Sequence, residues 1–229
     1  MKYTKPTYLA FFTTAFISLL VAILFEKICL VYVYPLTFLS IVVIYLKEKK
    51  EPTSALFLLA LFFGLCGGLL LILGLKNCLP EISICISIFY TFYIRLMYLK
   101  NEKKKTTAKI YFRLLFFFIP VVYMYDRVFS LVYEEIRDVF IYFAIMGTCM
   151  LVYIMVAIYY YLRNKNQSNL WMLITAVNLG IMNIIITINE LYIYETMFTV
   201  IVVFCSNFFL FFSLKFMLED EKNTLVDIT

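Results

Sequence analysis

Residues 54–75, SALFLLALFFGLCGGLLLILGL, hold no charged side chain over 22 positions and are apolar on every side. A helix needs about 20 apolar residues to cross the hydrocarbon core of a bilayer. A strand of a membrane barrel would instead alternate apolar and polar at every second position. This run does not alternate, so it reads as a transmembrane helix. Stretches of the same kind flank it at Tyr8–Phe25, Ile28–Leu46, Ile82–Leu99, Ile110–Tyr125, Val139–Leu162, Leu170–Ile188 and Thr196–Met217. Together they predict an all-α, polytopic transmembrane bundle of about eight helices. Only Glu26 and Lys27 separate the first two runs, which leaves room for nothing but an antiparallel hairpin.

Composition points the same way. Of 229 residues, 64% are hydrophobic and 15% charged, with a mean hydropathy of +0.93. Soluble domains run at about 45–50% apolar and about 25% charged, so a water-soluble globule is excluded, as is a disordered chain. Eight spans also use up the length that a soluble catalytic domain would need. The expected organisation is one transmembrane domain, residues 1–218, and a polar cytoplasmic tail, residues 219–229. The first run follows Lys2 and Lys5 as a signal peptide might. It is too long for a signal core and no A-x-A-like site follows it, so a retained helix is expected.

Basic residues set the expected orientation. Lys2, Lys5, Lys47, Lys49, Lys50, Lys100, Lys103, Lys104, Lys105, Lys109, Arg163, Lys165, Lys215 and Lys222 fall on one side of the predicted spans. The other side has only Lys27, Lys76, Arg127 and Arg137, while Arg95 and Arg113 lie within spans. The positive-inside rule then places both termini in the cytoplasm. The acids Glu26, Glu81, Asp126, Glu134, Glu135, Asp138, Glu190 and Glu195 gather on the outer side. They fit an acidic vestibule for cationic headgroups, and equally the ordinary solvated state of loops. Glu134, Arg137 and Asp138 would share one face of a helical turn, which suggests a short outer helix over Val128–Asp138.

Absences narrow the chemistry. With no histidine, histidine triads, imidazole metal sites and histidine haem ligation are excluded. No Gly-rich phosphate loop is present. The cysteines at 29, 66, 78, 85, 149 and 205 lack C-x-x-C spacing and read as small buried hydrophobes. Only Cys29 and Cys78 fall near the same membrane face, where a disulfide is the less expected state. No metal, no cofactor and no nucleic-acid partner is expected.

Polar residues inside spans are costly and each needs a partner, which makes them candidate site residues. Asn183, Thr187 and Glu190 recur at i, i+4 and i+7 in span seven, with Asn178 on another face. Ser83, Ser87 and Tyr90 repeat that spacing in span four, with Tyr93 three residues on. Asn207 beside Ser206 lies mid-span in the last run, and Pro35 with Thr37 is read as an interruption of span two. These residues either converge on a polar pocket open to the outer leaflet or make interhelical hydrogen bonds. Gly64, Gly67, Gly68 and Gly74 in span three point to close helix packing. Trp171 falls at the cytoplasmic start of span seven, where an interfacial anchor belongs.

The order of these features resembles the YhhN family of integral membrane proteins, whose characterised members are lysoplasmalogenases. The likeness covers roughly spans two to eight. Pro35-Leu36-Thr37 is similar to the family's K-P-L-T-like start, with Tyr34 in place of Lys, and Gly67-Gly68 stands where the family has Gly-Asp. Tyr90 and Tyr93 fall where the family has a His followed by Tyr, and Met182-Asn183 where it has Ser-Asp. Asn189 and its neighbours match an A-L-N-x-F-like stretch, and Asn207 falls where a Gln is common. The resemblance implies hydrolysis of the vinyl-ether bond of lyso-alkenyl phospholipids in a bacterial inner membrane, with a membrane lipid or lysophospholipid as partner.

Such chemistry calls for a proton donor and a base to deliver water, which a carboxyl pair in a dry site can supply. Here Gly68 and Asn183 replace both acids, and an amide does not exchange a proton near neutral pH. Two expectations follow. In a divergent hydrolase, Glu190 would be the acid/base, Asn183 and Tyr93 would position substrate or water, and Tyr90, Thr187, Asn207, Thr37 and Gly68 would line the ligand site. In a non-catalytic relative, the same pocket would bind a lipid or other amphiphile as a sensor or accessory subunit. A transporter is the weakest option, since no internal repeat or matched pair of broken helices is visible.

Overall fold

The computed structural model describes residues 6–49, 53–101 and 108–219. Lys2, Lys5, Lys50, Lys103, Lys104, Lys105 and Lys222, and the tail after Glu219, lie outside the described residues. Eight α-helices carry the described chain: α1 (Pro6–Leu24), α2 (Leu30–Glu48), α3 (Ala55–Leu73), α4 (Leu79–Lys100), α5 (Ala108–Ile136), α6 (Phe140–Arg163), α7 (Gln167–Leu191) and α8 (Thr196–Leu218). Short 3-10 turns at Lys27–Cys29 and Arg137–Val139 precede α2 and α6, and no strand occurs among the described residues. Seven helical stretches are long and apolar enough to cross a membrane. One of these is residues 108–163, a 56-residue stretch holding α5, the turn and α6. The protein is an all-helical integral membrane protein.

Side-chain bonds mark the two ends of the bundle. At one end Lys27 reaches Glu190 and Lys76 reaches Glu135. At the other, Tyr8 donates to Glu48 at 2.7 Å. There Lys100 also donates to the carbonyls of Phe216 and Glu219, and Asn101 and Asn169 exchange amide hydrogen bonds at 3.0 and 2.8 Å. Helix direction therefore alternates along the chain. Two boundaries show why helices stop and start where they do. Gly74 ends α3 at a φ of +126°, a backbone region that glycine enters readily. Asn166 starts α7 by accepting a 2.7 Å bond from the Asn169 amide.

Seven helices close a ring in the order α1, α2, α3, α4, α6, α7, α8 and back to α1, with α5 outside against α6 and α7. Apolar lipid does not drive helices together as water does, so close van der Waals packing must do it. In α3 the glycines provide it. A Cβ on Gly64 would lie 3.0 Å from the Phe89 ring, and one on Gly67 would lie 2.7 Å from Ile86, both in α4. Inside the ring Phe57, Phe89, Tyr90, Tyr93, Tyr153 and Phe209 interlock at centroid spacings of 4.9–6.4 Å, mostly edge-on, the geometry ring quadrupoles favour.

Three local readings are corrected. Val128–Asp138 is no separate outer helix, because α5 runs unbroken to Ile136 and only Arg137–Val139 forms a turn. Asp126 and Arg127 end the apolar run but not the helix, since Arg and the Leu, Tyr and Glu residues that follow tolerate a helix and no Gly or Pro stops it before Ile136. Pro35 does not interrupt α2, which is continuous from Leu30 to Glu48; its ring sits in the second turn, where only one internal bond is lost. Trp171 is more than a surface anchor. Its ring stacks on Phe212 of α8 at 5.4 Å with its indole nitrogen enclosed.

A candidate amphiphile site between α2, α3, α7 and α8

The site begins with the turn before α2. Lys27 projects from it and meets Glu190, in the last turn of α7, at 2.5 Å. Both side chains are largely withdrawn from the surface, at 18% and 13% exposure. Asn189 fixes this corner by accepting from the Glu195 amide at 2.8 Å and donating to Thr199 at 3.2 Å, which ties the end of α7 to the start of α8.

Below the ion pair lies a cavity of about 60 Å³ walled mostly by Leu30, Leu71, Ile72, Ile186, Val202 and Val203. The Tyr34 and Ser206 hydroxyls, 3.1 Å apart, stand at its inner end. Gly68 also lines it, and no larger residue would fit there. A Cβ at that position would lie 2.5 Å from the Tyr34 ring and 2.6 Å from its hydroxyl. Two smaller voids follow. One of about 30 Å³ is bounded by Tyr34, Gly68, Tyr90, Met182 and Asn183. Another of about 20 Å³ lies between α5, α6 and α7, beside Tyr125, Asn183 and Thr187.

The structure brings together some of the residues expected from the sequence and disperses others. Glu190 and Gly68 line the first cavity, Tyr90 and Asn183 the second, and Thr187 the third. Asn183 donates to the Tyr90 hydroxyl at 2.8 Å and to the Leu179 carbonyl at 2.7 Å. Tyr93 lies outside all three cavities, bonded to Ser213 in the aromatic core. Asn207 also turns away. Its amide donates to the Ala15 carbonyl at 3.3 Å and to Ser18 at 3.1 Å, because the small residues of α1 pack against that face of α8. Thr37 is buried with its hydroxyl unbonded and lines none of the three cavities; Leu30, Tyr34 and Phe38 are the α2 residues that face them. The rest of the expected stripe is scattered too, with Ser83 donating to the Tyr142 carbonyl at 2.8 Å and Asn178 to that of Cys205.

The sequence reading missed Lys27, Tyr34, Asn189, Thr199 and Ser206 as site residues. Lys27 reads in the sequence only as a loop charge, because its place two residues after the first apolar run ends gives no hint of a partner 163 residues away. All six cysteines, Cys29 and Cys78 included, are free thiols. Among the described residues no group of three or more His, Cys, Asp or Glu comes together to hold a metal.

Chemically, the mouth offers an ammonium and a carboxylate side by side, then two hydroxyls, then hydrocarbon. A zwitterionic headgroup can pair with both charges, its phosphate with Lys27 and its amine with Glu190. Among the described residues Glu190 is the one acid that lines the three cavities. Its carboxylate accepts a hydrogen bond from Lys27. Searches against protein-family models, curated proteins and solved structures find no match to this chain.

Proposed function

We propose that this chain is a YhhN-type protein of a bacterial inner membrane that binds a lysophospholipid from the outer leaflet and does not hydrolyse it. In this reading α5 and α6, 29 and 24 residues long, cross separately, giving eight spans with both termini cytoplasmic. Each is long enough for a bilayer, and the Lys27 end is the end poorer in basic residues. One observation carries the binding role: a largely withdrawn ion pair sits at the mouth of an otherwise apolar cavity.

The test is binding of fluorescent lysophosphatidylethanolamine to the protein in nanodiscs. Saturable binding that weakens about tenfold in Lys27→Met and in Glu190→Gln, a loss of 1.4 kcal/mol, is expected. Unsaturable partitioning, or wild-type affinity in both variants, would overturn the reading.

A second reading, a divergent ether hydrolase, is favoured by Glu190 facing the same cavity as the Tyr34 and Ser206 hydroxyls. It requires Glu190 to leave Lys27 and take up a proton. Aldehyde release from a lyso-alkenyl phospholipid that disappears in Glu190→Gln would establish it in place of the first.

A further inference from the structure

The three voids lie in series. The first and second share Tyr34, Gly68, Leu71, Met182 and Ser206 as walls, and the second and third share Asn183. Asn183 is seven residues before Glu190 on α7, about 10 Å along the helix axis. The voids therefore pass from the charged mouth, behind α7, to the seam where α7 meets α5 and α6.

At that seam the hydroxyl end of Tyr125 abuts Gly147 of α6, where a Cβ would come within 1.8 Å of the tyrosine hydroxyl. Before this contact, among the described residues of α5, Leu114 is the one packed against the core. Phe112, Leu115, Phe116, Ile119 and Tyr123 are all exposed, and Pro120 deprives the Phe116 carbonyl of its helical partner. The half of α5 that would face hydrocarbon thus ends at a single ring closing the third void.

We infer that this series of voids is the closed form of a track for the one hydrocarbon tail of the bound amphiphile, with access from the bilayer between α5 and α7 past Tyr125. This rests on the headgroup reading at Lys27 and Glu190 and adds to it where the tail goes and how it arrives. Voids of 60, 30 and 20 Å³ are water-sized, at about 30 Å³ per water, and far below the roughly 300–1,000 Å³ of a ligand pocket. The track must therefore open to be used. Its walls suit that. Met182 stands between the first two voids, and Met146 and Met150 line the third. Methionine is unbranched and re-packs at little cost. Hydrogen bonds stand in the same walls, between Tyr34 and Ser206 where the first two voids adjoin and from Asn183 to Tyr90 at the second. A hydrocarbon tail fits better than a file of water because Val128, Phe143, Met146, Met150 and Ile184 make the third void mainly apolar.

The experiment uses lysophosphatidylethanolamine with a diazirine at the end of its tail, photolysed with the full-length protein in nanodiscs, and peptide mass spectrometry to map the adducts. Adducts on Met146, Met150 or Tyr125 are expected, falling about tenfold in Lys27→Met. They should also fall in Met150→Phe, whose bulkier ring narrows the third void. Adducts that depend on Lys27 but sit on Ile72 or Val200 would overturn the track and leave the headgroup site standing. Adducts on Met150 that are equal in wild type and Lys27→Met would overturn the headgroup site instead. Labelling confined to bilayer-facing residues such as Phe116 would overturn both.

Discussion

Lys27 and Glu190 stand 163 positions apart in sequence and meet at 2.5 Å. Exposed ion pairs are worth about 0–1 kcal/mol, while removing one partner of a fully buried pair costs about 3–5 kcal/mol. At 18% and 13% exposure this pair falls between. Lys27→Met or Glu190→Gln should destabilise the protein by about 1–3 kcal/mol in denaturant titration. The charge-swapped double variant Lys27→Glu/Glu190→Lys should recover part of that loss. Lys76→Gln provides the contrast, because its pair with Glu135 is 63% and 49% exposed, and a change under about 1 kcal/mol is expected. Gly68→Ala would press a methyl group into the Tyr34 ring, at a cost of about 1–3 kcal/mol. Tyr34→Leu should rescue it, with a coupling energy above about 0.5 kcal/mol in the double-mutant cycle. Additive effects would mean that the two residues do not share that space. Glu190 was legible in the sequence because an acid ending a span is conspicuous. Its partner was not, because nothing local to Lys27 encodes a contact made only when the ring of helices closes.

Among the elements, α1 and α8 show how a polar residue in a span can belong to packing alone. Asn207 spends its amide on the Ala15 carbonyl and on Ser18. Interhelical hydrogen bonds of this kind average about 0.6 kcal/mol in membranes. Asn207→Leu should therefore cost about that much stability and leave lysophospholipid binding unchanged. A loss of binding at full stability would mean that α1 and α8 frame the site after all. Span positions could be read directly, since a run such as 54–75 has only one use at that length and composition. Helix facing could not. A helix that is mostly apolar shows only weakly which side meets its neighbours, and of one predicted stripe Asn183 and Thr187 line the third cavity while Glu190 lines the first. The end of α5 was misplaced for a related reason. Asp126 and Arg127 mark where the apolar run stops, and α5 continues past them for nine more residues to Ile136.

At the scale of the molecule, the account sets the Lys27 end of the bundle outside the cell and the Lys100 end inside. In a cysteine-free background of intact cells, Lys76→Cys should react with an impermeant maleimide, and Lys49→Cys should react only after permeabilisation. The opposite pattern would invert the topology and place the cavity mouth in the cytoplasm. Ring closure puts Glu190, among the described residues the one acid lining the three cavities, against a lysine, and the proposed role as a receptor for a zwitterionic amphiphile rests on that contact. The most direct test offers a lyso-alkenyl phosphatidylethanolamine to the purified protein in nanodiscs, then measures bound lipid and released aldehyde in the same sample. The account predicts one intact lipid held per protein and no aldehyde above the level of empty nanodiscs. Aldehyde accumulating with protein concentration, or no retained lipid at all, would contradict it.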